Sequence, residues 1–329
     1  MFNRDCAENY ERIDQIGSGT FGIVFKSRHK QSGQICALKK LLNETGRDGM
    51  NLTTVREIRL LKKLKHENIV KLISAFRGNT STYTSFEYCE FDMYGLMHRP
   101  DWVLTPPHIK CLMKQMLSAM AYIHDEGVLH RDIKSANIFL TRQGIIKIGD
   151  FGLARDLSHP KVQHHTNRVV TTWYRCPELL LGATQYGGEV DMWAIGCIFA
   201  ELLTKKPLFP GKSDVAQLET VYKIHGSPTL KDWPDMINMP WLLLISPRTL
   251  FPDLLRTHIQ DLAAKCQQDG SLLYEMLDYN PEKRITAKDA LGHRYFKSHP
   301  LPSEPKDIPL LAKDFHEGSF KKARRRNAQ

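Results

Sequence analysis

The sequence predicts an α+β protein of two unequal lobes, a small β-rich one followed by a larger, mainly helical one. Three observations lead there. Over roughly the first ninety residues apolar side chains alternate, turns carry glycine, and a single helical stretch interrupts the pattern. From Thr105 onward the apolar spacing becomes helical and is broken by proline-containing loops. A length of 329 residues with 42% hydrophobic and 25% charged content suits two domains, or one domain of two lobes, with a substantial core.

The elements follow in order. "YERIDQIGSGTFGIVFKSRHKQSGQICALKKL" reads as two strands around a glycine cluster, then a "QSGQ" turn into a third strand. Residues 51–65 are expected to be helical, because Val55, Ile58, Leu61 and Leu64 recur every third position. "NIVKLISAF" and "TYTSFEY" read as further strands, and "EYCEFDMYG", residues 87–95, is a plausible hinge. The next helix opens on Thr105 as N-cap with prolines in its first turn and closes at Gly127. Short strands and loops fill 128–180, and most of the remainder is helical. The expected organisation is an N-terminal extension over 1–9, a small lobe over 10–89, a large lobe over 90–297, and a tail over 298–329 that ends in a basic run.

Composition excludes several classes. No apolar run reaches membrane-spanning length, and the opening "MFNRDCAENYERID" is charged rather than signal-like. The seven cysteines are scattered without a C-x-x-C pair, the pattern of a reduced intracellular protein and neither a disulfide framework nor a zinc site. A net charge of +10 fits a polyanionic partner, nucleic acid or nucleotide phosphates alike. The terminal "SFKKARRRNAQ" holds five Lys or Arg and no acid, which reads as a nuclear-import signal, a nucleic-acid arm or a solvated tail.

Two clusters carry chemistry. "GSGTFGIV", residues 17–24, joins two strand patterns, so its glycines suit a hairpin whose backbone N–H groups approach phosphate rather than a dinucleotide fold. In "CALKK", Lys39 ends a strand from which one ammonium can reach the same phosphates. Further on, "LHRDIKSANIFL" is followed by "DFGLAR". Asp132 can accept a proton from an incoming hydroxyl, Asn137 and Asp150 are hard oxygen ligands suited to Mg²⁺, and Lys134 adds positive charge where a phosphoryl group develops negative charge.

With both clusters in one chain, the sequence resembles the eukaryotic protein kinases over residues 10 to about 297. The resemblance implies the bilobal kinase fold and ATP with Mg²⁺ as cofactors. It implies that Ile16, Gly17, Ser18, Gly19, Thr20, Phe21 and Gly22 cover the nucleotide, that Val24, Ala37 and Leu140 sandwich the base, and that Glu57 pairs with Lys39. Phe86 would guard the pocket behind the adenine, the backbone near Glu87 and Cys89 would meet the base, and Asp92 would lie near the ribose. Leu61, His130 and Phe151 resemble members of a hydrophobic stack, and residues 150–178 form the activation segment.

Within the kinases the chain resembles the cyclin-dependent family. "HHTNRVVTTWYRCPELLLG" puts Thr166 at the activating phosphosite and Thr171 at the second threonine, which joins the catalytic set. Arg56, Arg131 and Arg155 match the family's receptor for that phosphate, and Val169, Val170, Trp173 and Arg175 match the pocket that favours proline after the target residue. Stretches such as "SFEYCEFDMYGLM" and "RYFKSHPLPSE" resemble the transcription-elongation branch, which implies a T-type cyclin partner, RNA polymerase II C-terminal repeats as substrate and a nuclear enzyme. Thr166 would be phosphorylated by an upstream kinase or by the enzyme itself. Phe21 stands where cell-cycle members carry an inhibitory tyrosine. Departures from the pattern are Asn51 at the cyclin-contacting helix, Thr172, Cys176, and Thr84 within an otherwise apolar strand. The alternatives are a cell-cycle or splicing-type kinase and a pseudokinase scaffold. Direct sequence-specific binding of nucleic acid and association with a membrane are not expected.

Overall fold

A computed structural model describes residues 5–19, 22–41, 52–78, 81–157, 171–247, 249–265 and 269–318. Among these the strands are β1 (Tyr10–Gly19), β2 (Gly22–His29), β3 (Ile35–Leu41), β4 (Leu72–Arg77), β5 (Thr82–Glu87), β6 (Phe91–Asp92), β7 (Val128–Leu129), β8 (Ile138–Leu140), β9 (Ile146–Ile148) and β10 (Arg155–Asp156). The α-helices are α1 (Leu52–Lys63), α2 (Met93–Met97), α3 (Pro106–Asp125), α4 (Pro177–Leu180), α5 (Glu189–Thr204), α6 (Asp214–His225), α7 (Leu242–Ile245), α8 (Leu255–Lys265), α9 (Ser271–Met276) and α10 (Ala287–Gly292). The chain forms two compact units, neither continuous in sequence. The first contains Met1–Val103, Ser135–Leu153 and Pro309–Gln329, and the second Leu104–Lys134 and Ala154–Ile308.

The first unit is built on an antiparallel sheet of order β1-β2-β3-β5-β4. Gly22, at φ +150, makes the first hairpin possible, because a Cβ there would lie 2.2 Å from the Lys40 carbonyl oxygen. Strand alternation sends Cys36, Leu38, Phe76 and Tyr83 to one buried cluster with Tyr10. Phe76 stacks between Tyr10 and Tyr83 at 5.4 Å on each side. Helix α1 buries Ile58 and Leu61, as the apolar spacing predicts, and Leu60 beside them, while Val55 is half-buried, and the helix packs on the 3-10 turn Phe151–Leu153. A smaller sheet of order β6-β8-β9 completes this unit.

Residues 309–318 return to the first unit along the segment after β5. Phe315 donates its N–H to the Glu90 carbonyl at 3.0 Å and bridges to Phe91 in parallel. Asp314 accepts from Lys26 at 2.5 Å and from the Tyr88 hydroxyl at 2.8 Å, and pairs with Arg142. Several anchors on one ten-residue segment make it part of the unit.

The second unit is helical around α5, whose residues Val190 to Leu202 are all buried, as expected of a helix that is apolar on every face. α3 begins at Thr105 with Pro106 in the first turn, as the sequence predicts, and the chain turns away at Gly127 with φ +70. Glu178 and Arg284, 3% and 0% exposed in their side chains, form a two-point ion pair at 2.6 and 3.1 Å. Arg284 also donates to the carbonyls of Glu189 and Asp278, at 2.9 and 3.0 Å, and lies over the Trp193 ring. Removing one member strands a buried charge, so Glu178→Ala is expected to lower stability by about 3–5 kcal/mol. Urea unfolding followed by tryptophan fluorescence measures the loss, and a change below about 1 kcal/mol contradicts it.

Candidate active site

In the first unit the register of the sheet decides which side chains share a face. Val24 pairs with Lys39 and Lys39 with Thr84, while Ala37 pairs with Phe86, so these residues form two adjacent rows on one face of the sheet. Gly17 pairs with Val24 and Gly19 with Gly22, which makes the glycine cluster the hairpin that ends β1 and starts β2. Ile16 and Ser18 lie on β1; Thr20 and Phe21 fall outside the described residues.

Lys39 is the focus of this face. Its Nζ lies 3.2 Å from Asp150 Oδ1 and 3.6 Å from Glu57 Oε1. Burial would pull the Lys39 pKa down, but the two carboxylates outweigh it and hold it above its ordinary value. Burial raises the Glu57 pKa against the pull of Lys39. Glu57 is buried at 5% exposure while its neighbour Arg56 is exposed, the divergence that about 100° per residue imposes on adjacent helical side chains.

Asn137 and Asp150 end up side by side along the chain path, because Gly149 donates its N–H to the Asn137 carbonyl at 3.0 Å. Asp150 has φ +58, a conformation short polar side chains tolerate better than most. Two hard oxygen donors suit Mg²⁺, which keeps most of its waters and takes one or two protein ligands. Among the described residues no group of three His, Cys, Asp or Glu is placed to hold a metal.

The expected adenine-side residues are also in this unit. Phe86 is 9% exposed, Cys89 6% and Leu140 fully buried on β8. The Glu87 carboxylate is engaged by Lys147 at 3.0 Å and by the Lys71 N–H at 2.7 Å, and its own N–H donates to the Lys71 carbonyl at 3.0 Å. Asp92 is buried and accepts the N–H groups of Gly95 and Glu317, each at 2.6 Å, with His316 3.6 Å away. Leu61 and Phe151 are buried here.

In the second unit the loop after β7 carries His130, Arg131 and Asp132. Asp191, wholly buried on α5, accepts the N–H groups of His130 at 3.0 Å and Arg131 at 2.8 Å, and meets His124 Nε2 at 3.0 Å. Burial alone would raise its pKa; the hydrogen bond and charge of His124, with His130 and the Arg131 N–H, hold it below the ordinary carboxylate value. This grip keeps Arg131 at φ +64, an unfavourable conformation for a long side chain. Asp132, 4% exposed, has Lys134 Nζ 2.7 Å from Oδ2 and the Thr171 hydroxyl 3.3 Å from Oδ1.

Two of the three expected phosphate-receptor arginines converge in this unit. β10 pairs Arg155 with Leu129, two residues before Arg131; burial raises the Tyr186 pKa, and the charges of both guanidiniums oppose that rise without cancelling it. Arg131 also donates to the Tyr186 hydroxyl at 3.3 Å. Arg56 lies on α1 of the first unit. Trp173 donates its indole N–H to the Gly211 carbonyl at 3.0 Å, and Arg175 pairs with Asp214 at 2.6 Å, so both reach the start of α6. Thr166, Val169 and Val170 fall outside the described residues.

The residue that reading of the sequence missed is Asp191. Its signal was present, as a second acid, after Glu189, at the start of the apolar run "VDMWAIGCIFA". Tyr186 and Asp214 carried no comparable signal.

This constellation places the chain among known proteins. It belongs to the protein kinase domain family, whose model matches residues 10–296. Within that family its similarity is to cyclin-dependent kinases. It is 42% identical over 338 residues to cyclin-dependent kinase C-1 of Arabidopsis thaliana, matching 97% of this chain and 65% of that one. It is 41% identical over 318 residues to the CTD kinase subunit alpha of Schizosaccharomyces pombe, covering 95% and 53% respectively. A solved chain of the yeast RNA Pol II CTD kinase CTDK-1 complex aligns with a TM-score of 0.83 at 36% identity, over 93% of this chain and 98% of that one. The chain thus spans less than two thirds of the length of either of the two sequence relatives.

Asp191 supports a pH prediction. Its folded pKa lies below the unfolded value near 3.9, so its stabilisation is complete above that value and is lost as pH falls through the folded pKa. Asp191→Asn is expected to cost about 1–3 kcal/mol at pH 7, with the gap to the parent closing below about pH 4. Unfolding midpoints across pH measure both, and a gap that stays constant into acid contradicts the assignment.

Proposed function

We propose that this chain is the catalytic subunit of a cyclin-dependent serine/threonine kinase that transfers the ATP γ-phosphate to Ser-Pro and Thr-Pro sites, with the C-terminal repeats of RNA polymerase II as its substrate. The observation that carries this reading is Asp132, a nearly buried carboxylate with Lys134 on one oxygen and Thr171 near the other, on a loop clamped by Asp191. A carboxylate so fixed takes the proton of a substrate hydroxyl as that oxygen attacks the γ-phosphorus and ADP leaves. Lys134 then sets positive charge beside the reacting group. Lys39, aligned by Glu57, grips the phosphates under the glycine hairpin, and the hinge backbone at Glu87 and Cys89 receives the adenine. Asn137 and Asp150 would hold Mg²⁺, which when bound would neutralise charge on the phosphates.

The names of the relatives support the substrate and the dependence on a cyclin; a T-type cyclin follows from the resemblance of stretches such as "SFEYCEFDMYGLM" to the transcription-elongation branch. Action on the polymerase, together with the basic run at 321–326, supports a nuclear role. Thr166, phosphorylated by an upstream kinase or by the enzyme itself, would pair with Arg131, Arg155 and Arg56 and set the activation segment for catalysis. Val169, Val170, Trp173 and Arg175 serve the choice of proline after the target.

The test uses the chain purified with the cyclin it recovers from its own cells, Mg-ATP and a peptide of polymerase C-terminal repeats. The complex is expected to phosphorylate Ser-Pro sites and to neglect a Ser-Ala version. Asp132→Asn should lower kcat at least about 100-fold. Full turnover in that variant, or no transfer by the parent complex, ends the reading.

A further inference from the structure

Thr84 lies on β5, among the hydroxyl residues Thr82 and Ser85, and neither the fold nor the site described above uses its hydroxyl. Valine would fill the same strand position with the same branched shape and no polar atom. Thr84 is 1% exposed, and its Oγ1 has no hydrogen-bond partner among the described residues. Buried hydroxyls in native proteins are nearly always satisfied, by protein or by an ordered water.

The register shows where a partner lies. Thr84 is directly opposite Lys39 on β3 and opposite Ala75 on β4, so the three side chains share one face. Directly opposed Cβ atoms lie about 4.5–5.5 Å apart, which sets the Thr84 hydroxyl beside the Lys39 stem. Ala75 offers no polar atom. The polar groups this row leads to are the Lys39 ammonium and the Glu57 carboxylate. Those two form an ion pair at 3.6 Å, a separation at which a water beside the pair can reach both. A water beside the pair and the Thr84 hydroxyl would have three polar groups to meet, within the two to four that a buried water needs.

We propose that Thr84 is a positioning residue for Lys39: its hydroxyl holds an ordered water against the Lys39–Glu57 pair and so keeps the ammonium aimed at the nucleotide phosphates. The inference rests on the reading of Lys39 as the nucleotide lysine. Thr84 acts through the water and the lysine and does not touch substrate. Losing it loosens the grip on phosphate in ground and transition states alike, which raises KM and leaves kcat nearly unchanged.

The experiment compares the parent cyclin complex with Thr84→Val, Thr84→Ser and Lys39→Met, reading binding of a fluorescent ADP analogue with Mg²⁺ and, separately, kcat and KM for ATP. Thr84→Val is expected to weaken ADP binding and raise KM about three- to tenfold with kcat within about twofold. Thr84→Ser, which keeps the hydroxyl, should restore binding to within about twofold of the parent. Parent-like affinity in Thr84→Val overturns the inference, as does a loss in Thr84→Ser equal to that in Thr84→Val, which would assign the effect to packing. If Thr84→Val does not fold, Thr84→Ala replaces it with the same two outcomes. Lys39→Met separates the levels: unchanged ADP affinity there removes the reading of Lys39 and the inference with it, whereas a loss in Lys39→Met beside a parent-like Thr84→Val removes the inference alone.

Discussion

The second unit depends on one buried carboxylate. Asp191 sits at the start of α5 with no exposure to solvent, and a charge so placed is tolerated only because N–H groups of the loop before Asp132, and His124, close around it. The same bonds hold Arg131 in a left-handed conformation, and that turn sets the direction in which Asp132 leaves the loop. Packing and chemistry meet at this point, since α5 is the helix around which the unit's core is built.

The first unit solves a matching problem with a sheet. Directly opposed strand residues bring Val24, Lys39 and Thr84 into one row and Ala37 with Phe86 into the next. A residue that turns inward on α1, Glu57, meets that face, and Asp150 reaches it from the end of β9. The C-terminal segment is tied into the same unit through Asp314, Phe315 and Glu317, so residues more than two hundred positions apart share one set of hydrogen bonds. Asp92, expected near a ribose, is drawn into that set by two backbone N–H groups.

Much of this was legible beforehand, and for local reasons. Alternation, glycine turns and the Thr105–Pro106 helix start are short-range signals, and β1 to β5, α1 and α3 lie where they point. The spacing of "HRDIKSAN" and "DFG" identifies oxygen and nitrogen groups whose chemistry is intrinsic to the residue types. Other features were not legible because they depend on distant partners. Asp191 against the His130–Arg131 backbone, Arg175 against Asp214, and Glu178 against Arg284 are pairings that closed only when the chain folded.

The sequence by itself determined the α+β class, the order of the elements and the identity of the groups suited to phosphoryl transfer, because propensity, periodicity and side-chain chemistry are properties of a residue and its near neighbours. Only the tertiary structure decided that the units are discontinuous, that Asp132 lies between Lys134 and Thr171, and that the Thr84 hydroxyl is enclosed opposite Lys39. Those outcomes are set by strand register and by burial, and both exist only once residues far apart in the chain compete for the same interior space.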